Sequence, residues 1–140
     1  MAIISETLHS FIESWTVHGH PMTAGFKIAA DYFVIIGADE QVNAASGCSI
    51  DKAVRAMHEL GDRLQINWFN RNNIAFLLGN EVTLFQLKDL KRCLENGAWG
   101  AMTKVFDNTI STKAALDAKW IAPAQSTWLN RYLPQERMAP

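Results

Sequence analysis

The chain has 140 residues and a formal net charge of -1, with 49% hydrophobic and 19% charged residues and five tryptophans. This composition excludes intrinsic disorder, and the length suits one domain. Charged residues are spread along the chain, so no basic block marks a nucleic-acid partner. No segment approaches about 20 consecutive apolar residues, and the N-terminus is unlike a signal peptide, so we expect no membrane insertion and a cytoplasmic location.

The N-terminal part is predicted to form a helix and then a hairpin. Apolar residues recur at three- and four-residue spacing from Ser5 to about His18, with Ser5 as N-cap and with Gly19 and Pro21 ending the helix. Two β-prone runs follow, residues 24–29 and 32–37, joined by a turn at Ala30-Asp31.

A second amphipathic helix is predicted after residue 49. One face carries an apolar stripe and the opposite face carries charged residues. Gly61 lies inside this pattern and can also be taken as a C-terminal cap that shortens the helix. The stripe consists of Ile50, Val54, Met57, Leu60 and Leu64.

The C-terminal half is predicted to begin with a second hairpin around Gly79-Asn80. A short helix before Gly97 is expected next, and one longer helix from Val82 to Leu94 is the alternative. Further on, we predict an extended piece over 103–106 and a turn at Asp107-Asn108. A helix capped by Ser111 or Thr112 is expected to run up to Pro123. An amphipathic turn is expected after it, at Trp128, Leu129 and Tyr132.

This order of elements predicts the α+β class. We expect a single domain over residues 1–140, with an antiparallel or mixed sheet built from hairpins and covered by helices mainly on one face. The tail is expected to be frayed from about residue 134.

Several segments together resemble an uncharacterised family of short bacterial proteins that are loosely labelled ABC transporter ATPases. They are Trp15 with the following HGH, FKIAADYFVIIGADE, ASGCSID, Val105-Phe106-Asp107-Asn108 and Thr112-Lys113. The resemblance covers most of the chain, and its most specific element is SGCSID. It implies no activity and transfers no catalytic residue. Because no GxxxxGK[ST] string is present, we expect no ATP hydrolysis.

The SGCSID segment is the leading candidate site. Its residues stand where a helix begins, and unpaired N–H groups and the helix dipole favour an anion there. The predicted ligand-binding residues are Ser46, Gly47, Cys48, Ser49 and Asp51. The same field stabilises a thiolate, which makes Cys48 a candidate nucleophile. The structural alternative is that a serine caps the helix and Cys48 packs in the core.

A thiol enzyme also needs a base, for which His18 and His20 are the candidates. Their spacing matches no zinc pattern, so we expect no metal and no cofactor. The chain has two cysteines, Cys48 and Cys93, and we expect both to be free thiols.

The remaining polar and aromatic candidates favour structural roles. Four acids could form a carboxylate site, but turns collect acids, and we interpret them as turn residues: Asp31, Asp39, Glu40 and Asp107. The tryptophans are expected in the core, although exposure of Trp99 or Trp128 would favour a partner surface.

The sequence therefore predicts a small binding or interaction module for an anion or a peptide. The alternative is a thiol-dependent enzyme with Cys48 as nucleophile. The expected partner is a small anion or a protein, a second copy of the chain included.

Overall fold

The computed structural model describes residues 2–17, 20–21, 23–39 and 47–134, and for residues 16–17, 20–21 and 47–49 it describes the backbone alone. Helices and antiparallel hairpins together confirm the predicted α+β class. The chain divides into two compact units, Met1–Asn70 (unit 1) and Arg71–Pro140 (unit 2). Each unit is described by itself, and the single domain over residues 1–140 stays a prediction.

Unit 1 combines two helices with two hairpins in its described residues. Helix α1 spans Ala2–Ser14 and helix α2 spans Gly47–Leu64. Between them, β1 (Thr16–Val17) pairs with β2 (His20–Pro21), and β3 (Ala24–Ala29) pairs with β4 (Phe33–Ala38), both antiparallel.

The core of unit 1 lies between the β3–β4 hairpin and the two helices. Alternation along the strands puts four apolar side chains on one face, and this face packs against Leu8 of α1 and Leu60 of α2, both 1% exposed. The four strand residues are Phe26, Ile28, Val34 and Ile36. Trp15 is the buried centre of a second, smaller cluster. Each element therefore contributes one apolar face, as its sequence periodicity predicts.

The boundaries predicted for the first helix are wrong at both ends. The helix already includes Ala2, so Ser5 lies inside it and is not its N-cap. It ends at Ser14 rather than near His18, because Trp15 enters the core and the β-branched pair Thr16-Val17 continues as a strand. His18 and Gly19 lie outside the described residues.

The C-terminal end of α2 confirms the longer predicted helix and not the alternative cap at Gly61. The helix continues to Leu64, and Gln65 then adopts a left-handed φ of 57°. The N–H of Ile66 donates to the carbonyl oxygen of Gly61 at 2.8 Å, which is the long hydrogen bond of a Schellman motif. Gly61 is therefore buried in the last turn and not the capping residue.

The apolar stripe of α2 is only partly buried. Met57 and Leu60 are in the core and Leu64 packs against it, as predicted. Ile50 and Val54 are instead 51% and 37% exposed. The first two turns of α2 thus present apolar side chains to solvent.

Unit 2 is built on a four-stranded antiparallel sheet in the order β6-β5-β7-β8. The strands are β5 (Asn73–Leu78), β6 (Glu81–Gln86), β7 (Lys104–Phe106) and β8 (Ile121–Pro123). Helix α3 spans Leu90–Glu95 and helix α4 spans Lys113–Lys119. Short 3-10 helices cover Leu87–Asp89, Ala124–Ser126 and Trp128–Tyr132.

The hairpin and the short helix predicted for the start of unit 2 are confirmed. Strands β5 and β6 are joined by Gly79-Asn80, with Gly79 at a φ of +63°. The alternative of one long helix from Val82 to Leu94 is wrong, because residues 82–86 belong to β6. Helix α3 ends in a Schellman motif at Gly97, whose φ is +77°.

The end of the predicted fourth helix needs a correction. Thr112 is the N-cap, and its hydroxyl accepts a hydrogen bond from Ala115 N at 3.1 Å. The helix stops at Lys119, and the residues up to Pro123 form β8 beside β7. Two long-range strand pairings therefore add β7, which was predicted as an extended piece, and β8, which was not predicted, to the predicted hairpin.

The core of unit 2 places helical segments on one face of the sheet. Phe76 of β5 and Val105 of β7 pack there with Leu90 of α3 and Leu129, and these four side chains are at most 1% exposed. The Trp99 indole N–H donates to the Leu90 carbonyl oxygen at 2.9 Å, which satisfies a buried donor. Residues 135–140 lie outside the described residues, so the frayed tail stays a prediction.

In the part of the chain that is described, no helix is both long enough and apolar enough to span a bilayer.

Candidate functional site

Helix α2 begins inside the SGCSID segment. Gly47, Cys48 and Ser49 form its first turn, where backbone N–H groups have no partner within the helix. Asp51 is exposed. Ser46 and the side chains of residues 47–49 lie outside the description, so the anion site and the state of the Cys48 thiol stay predictions.

The proposed bases are also beyond the described side chains. His18 is not described, and His20 is described only as backbone in β2. The pairing of Cys48 with an imidazole therefore stays a prediction. Cys93 is a free, half-buried thiol that packs against the core of unit 2, as expected for a reduced cysteine.

Two of the four acids, Asp31 and Asp107, are turn residues as predicted, whereas Asp39 directly follows β4 and its N–H donates to the Thr23 carbonyl oxygen at 2.6 Å. Asp31 lies in the β3–β4 turn with a φ of 60°. Asp107 accepts hydrogen bonds from the N–H and the hydroxyl of Thr109, which is a local turn contact. Glu40 is not described. Among the described residues, no three His, Cys, Asp or Glu side chains form a group that could hold a metal ion.

Most of the tryptophans have structural roles. Trp15 and Trp99 are buried, so Trp99 offers no partner surface. Trp120 donates its indole N–H to Asn108 Oδ1 at 2.9 Å, and Trp128 is half-buried beneath the guanidinium of Arg131. Trp68 differs from these four because its half-buried ring lines a groove.

The described residues of unit 1 form a groove at the C-terminal end of α2, which we call the α2 groove. Its volume is about 370 Å³, which lies within the range of small-molecule sites. It is lined by His58, Gly61, Asp62, Gln65, Ile66, Asn67 and Trp68. The last turn of the helix thus forms one wall and the segment after it forms the other.

Gly61 and Trp68 set how closely these two walls approach. A Cβ atom on residue 61 would overlap the carbonyl oxygen of Ile66 and lie 2.9 Å from Cδ1 of Trp68. The indole Nε1 of Trp68 is buried and has no hydrogen-bond partner among the described residues. An unsatisfied buried donor costs about 1–3 kcal/mol, so the chain holds this ring in place at an energetic cost.

Aromatic rings continue along the rim of the groove. The His58 ring lies 4.6 Å from the Phe69 ring, with 37° between their planes. Phe69 is 44% exposed, and its backbone N–H donates to Asn67 Oδ1 at 3.2 Å. Flat aromatic surface therefore remains open to solvent beside the polar side chains.

Sequence reasoning missed this groove. Its signals were a glycine inside a helical pattern and the Trp68-Phe69 pair just beyond the helix end. Both were compatible with a simple cap and a core tryptophan, because the left-handed turn at Gln65 that brings the residues together leaves no clear mark in the sequence.

Comparisons with protein-family models, curated proteins and solved structures give no match to this chain.

Proposed function

We propose that the protein is a small binding module whose ligand occupies the α2 groove. The observation that carries this proposal is the 370 Å³ groove, in which polar side chains and aromatic rings converge around the end of a helix. The buried, unpartnered Trp68 N–H supports it, because energetic costs of this kind persist where a site needs a fixed geometry. The cytoplasmic location stays a prediction of the sequence.

The test is a chemical-shift screen of the ¹⁵N-labelled full chain against polar small molecules of mixed charge. We expect saturable shifts confined to the amides of residues 58–69 and to the Trp68 indole, assigned through Trp68→Phe. Saturable shifts only in other parts of the chain, or none with any compound, would contradict the proposal.

The anion site at the start of α2 is a further candidate on the same helix. It is supported by the helix start at Gly47, because the backbone N–H groups of residues 47–49 have no partner within the helix. Inorganic phosphate is the probe, and iodoacetamide alkylation of Cys48 in Cys93→Ala is the readout. Rapid alkylation at pH 7 that phosphate suppresses would favour this site or the thiol enzyme, whereas slow alkylation would favour a buried, structural thiol.

Binding of a protein partner is another candidate function, and one observation favours it. Ile50 and Val54 stand one turn apart and are both exposed on α2. For a second copy as partner, light scattering should show a mass that rises with concentration and falls back in Val54→Glu. A constant monomer mass would contradict self-association, with Glu59→Gln as the surface control.

A further inference from the structure

The α2 groove has an electrostatic character that its residues define. Among the described residues that line it, Asp62 is the single carboxylate and none is a lysine or an arginine. Asp62 is exposed, so its charge is available to a ligand. The fixed charge inside the groove is therefore negative.

The helix end adds a second contribution of the same sign. Helix α2 ends at Leu64, and the groove is lined by residues of its last turn and of the segment beyond. The C-terminal end of a helix carries a partial negative charge and favours cations within about one turn. Carboxylate and helix end thus act on the same space, and the opposing charge of Arg63, an exposed residue of the same turn, stands outside the groove lining.

The walls of the groove provide flat apolar surface as well. The half-buried Trp68 and the exposed His58 line it, and the Phe69 ring lies against the His58 ring at an angle of 37°. Aromatic rings attract cations through the negative face of the ring, and they also pack against short aliphatic chains. The Trp68 Nε1 atom is buried, so its N–H is not offered to a ligand.

From these observations we propose that the α2 groove binds a small organic cation, an ammonium or guanidinium group on a short aliphatic chain. This inference rests on the proposed binding function and names the ligand class of the same site. The cationic head lies near Asp62 and the carbonyl end of α2, and the aliphatic chain lies along the aromatic rings.

Agmatine, which carries both cationic groups on a four-carbon chain, is the probe for the test. We expect saturable shifts of the Trp68 indole and the groove amides, with a dissociation constant of about 1 mM or below. Asp62→Asn should weaken binding about threefold to fivefold, the loss of one exposed charge pair. Glu6→Gln is the control, because Glu6 is an exposed acid of α1 that does not line the groove, and it should change affinity less than about twofold.

Three further probes separate the outcomes. Succinate and 1,4-butanediol carry negative and zero charge on chains of similar length. If either produces saturable groove shifts and agmatine does not, the cation inference is wrong and the binding proposal stands. If N-acetylarginine amide binds more tightly than agmatine, the ligand is a peptide side chain and the free cation is excluded. If no probe acts at the groove, the inference fails, and the broader screen decides the proposed function.

Discussion

Gly61 is the residue at which two opposing effects can be weighed. In a helix interior, alanine is favoured over glycine by about 1 kcal/mol, so propensity alone predicts that Gly61→Ala stabilises the protein. The added Cβ, however, meets the Ile66 carbonyl oxygen and the Trp68 ring. Overpacking of this kind costs about 1–3 kcal/mol, and here part of the obstacle is backbone, which cannot rotate away.

We therefore expect Gly61→Ala to lower the free energy of unfolding by about 1–2 kcal/mol, measured by urea denaturation. Gly37→Ala is the control, since a Cβ there meets nothing within 4 Å, and it should leave stability unchanged or raise it by up to about 1 kcal/mol. A stabilised Gly61→Ala would show that the groove walls do not meet as described.

For single residues, the sequence predicted which side chains are buried better than it predicted which residues they contact. Leu60 and Met57 could be placed in the core because helical periodicity marks a buried face. The contact of Gly61 with Trp68 could not be predicted, because it depends on a single left-handed residue, Gln65, which gives the chain its direction after the helix.

Among the elements, α4 offers a clear test of a capping interaction. The sequence allowed either Ser111 or Thr112 as N-cap, and the hydrogen bond from Ala115 N to the Thr112 hydroxyl identifies Thr112. Removal of an N-cap side chain costs about 1 kcal/mol, so Thr112→Ala should lower the free energy of unfolding by that amount.

Ser111→Ala is the matched control, because Ser111 is the exposed neighbour outside the helix. It should leave the urea midpoint unchanged. An equal loss in both variants would indicate that general changes in this loop, rather than the cap, control the stability of α4.

Elements that depend on residues close together in the sequence were predicted correctly, whereas elements that depend on long-range contacts were missed. The hairpin at Gly79-Asn80 was predictable because its turn residues and its flanking strands are adjacent in sequence. Strand β8 was missed because three residues after a helix carry no periodicity, and its pairing with β7 joins segments separated by α4. Boundaries such as Ser14 were missed because the tertiary contact of Trp15, not a local stop signal, ends the helix.

For the whole molecule, the buried clusters follow the division into two units. The cluster around Phe76, Leu90 and Leu129 contains only residues of unit 2, and the cluster around Leu8 and Leu60 contains only residues of unit 1. The α+β class was predictable from the order of helices and hairpins, but this division was not, because no linker composition separates residues 70 and 71.

We expect a fragment of residues 71–140 to fold by itself, because its fully buried side chains contact one another. Its stability should be marginal, since a chain of about 70 residues buries only about 60% of its unfolded surface. Circular dichroism should show β-structure and a cooperative urea transition that Leu129→Ala abolishes. A fragment without a cooperative transition would contradict the expectation.

The central claim is that the α2 groove holds a small organic cation, and intermolecular nuclear Overhauser effects test it most directly. With agmatine added to the full chain, the methylene protons of the ligand should give cross-peaks to the ring protons of Trp68 and His58. These cross-peaks should weaken in Asp62→Asn and persist in Glu6→Gln. Cross-peaks only to tryptophans elsewhere in the chain, or none at saturating agmatine, would contradict the claim.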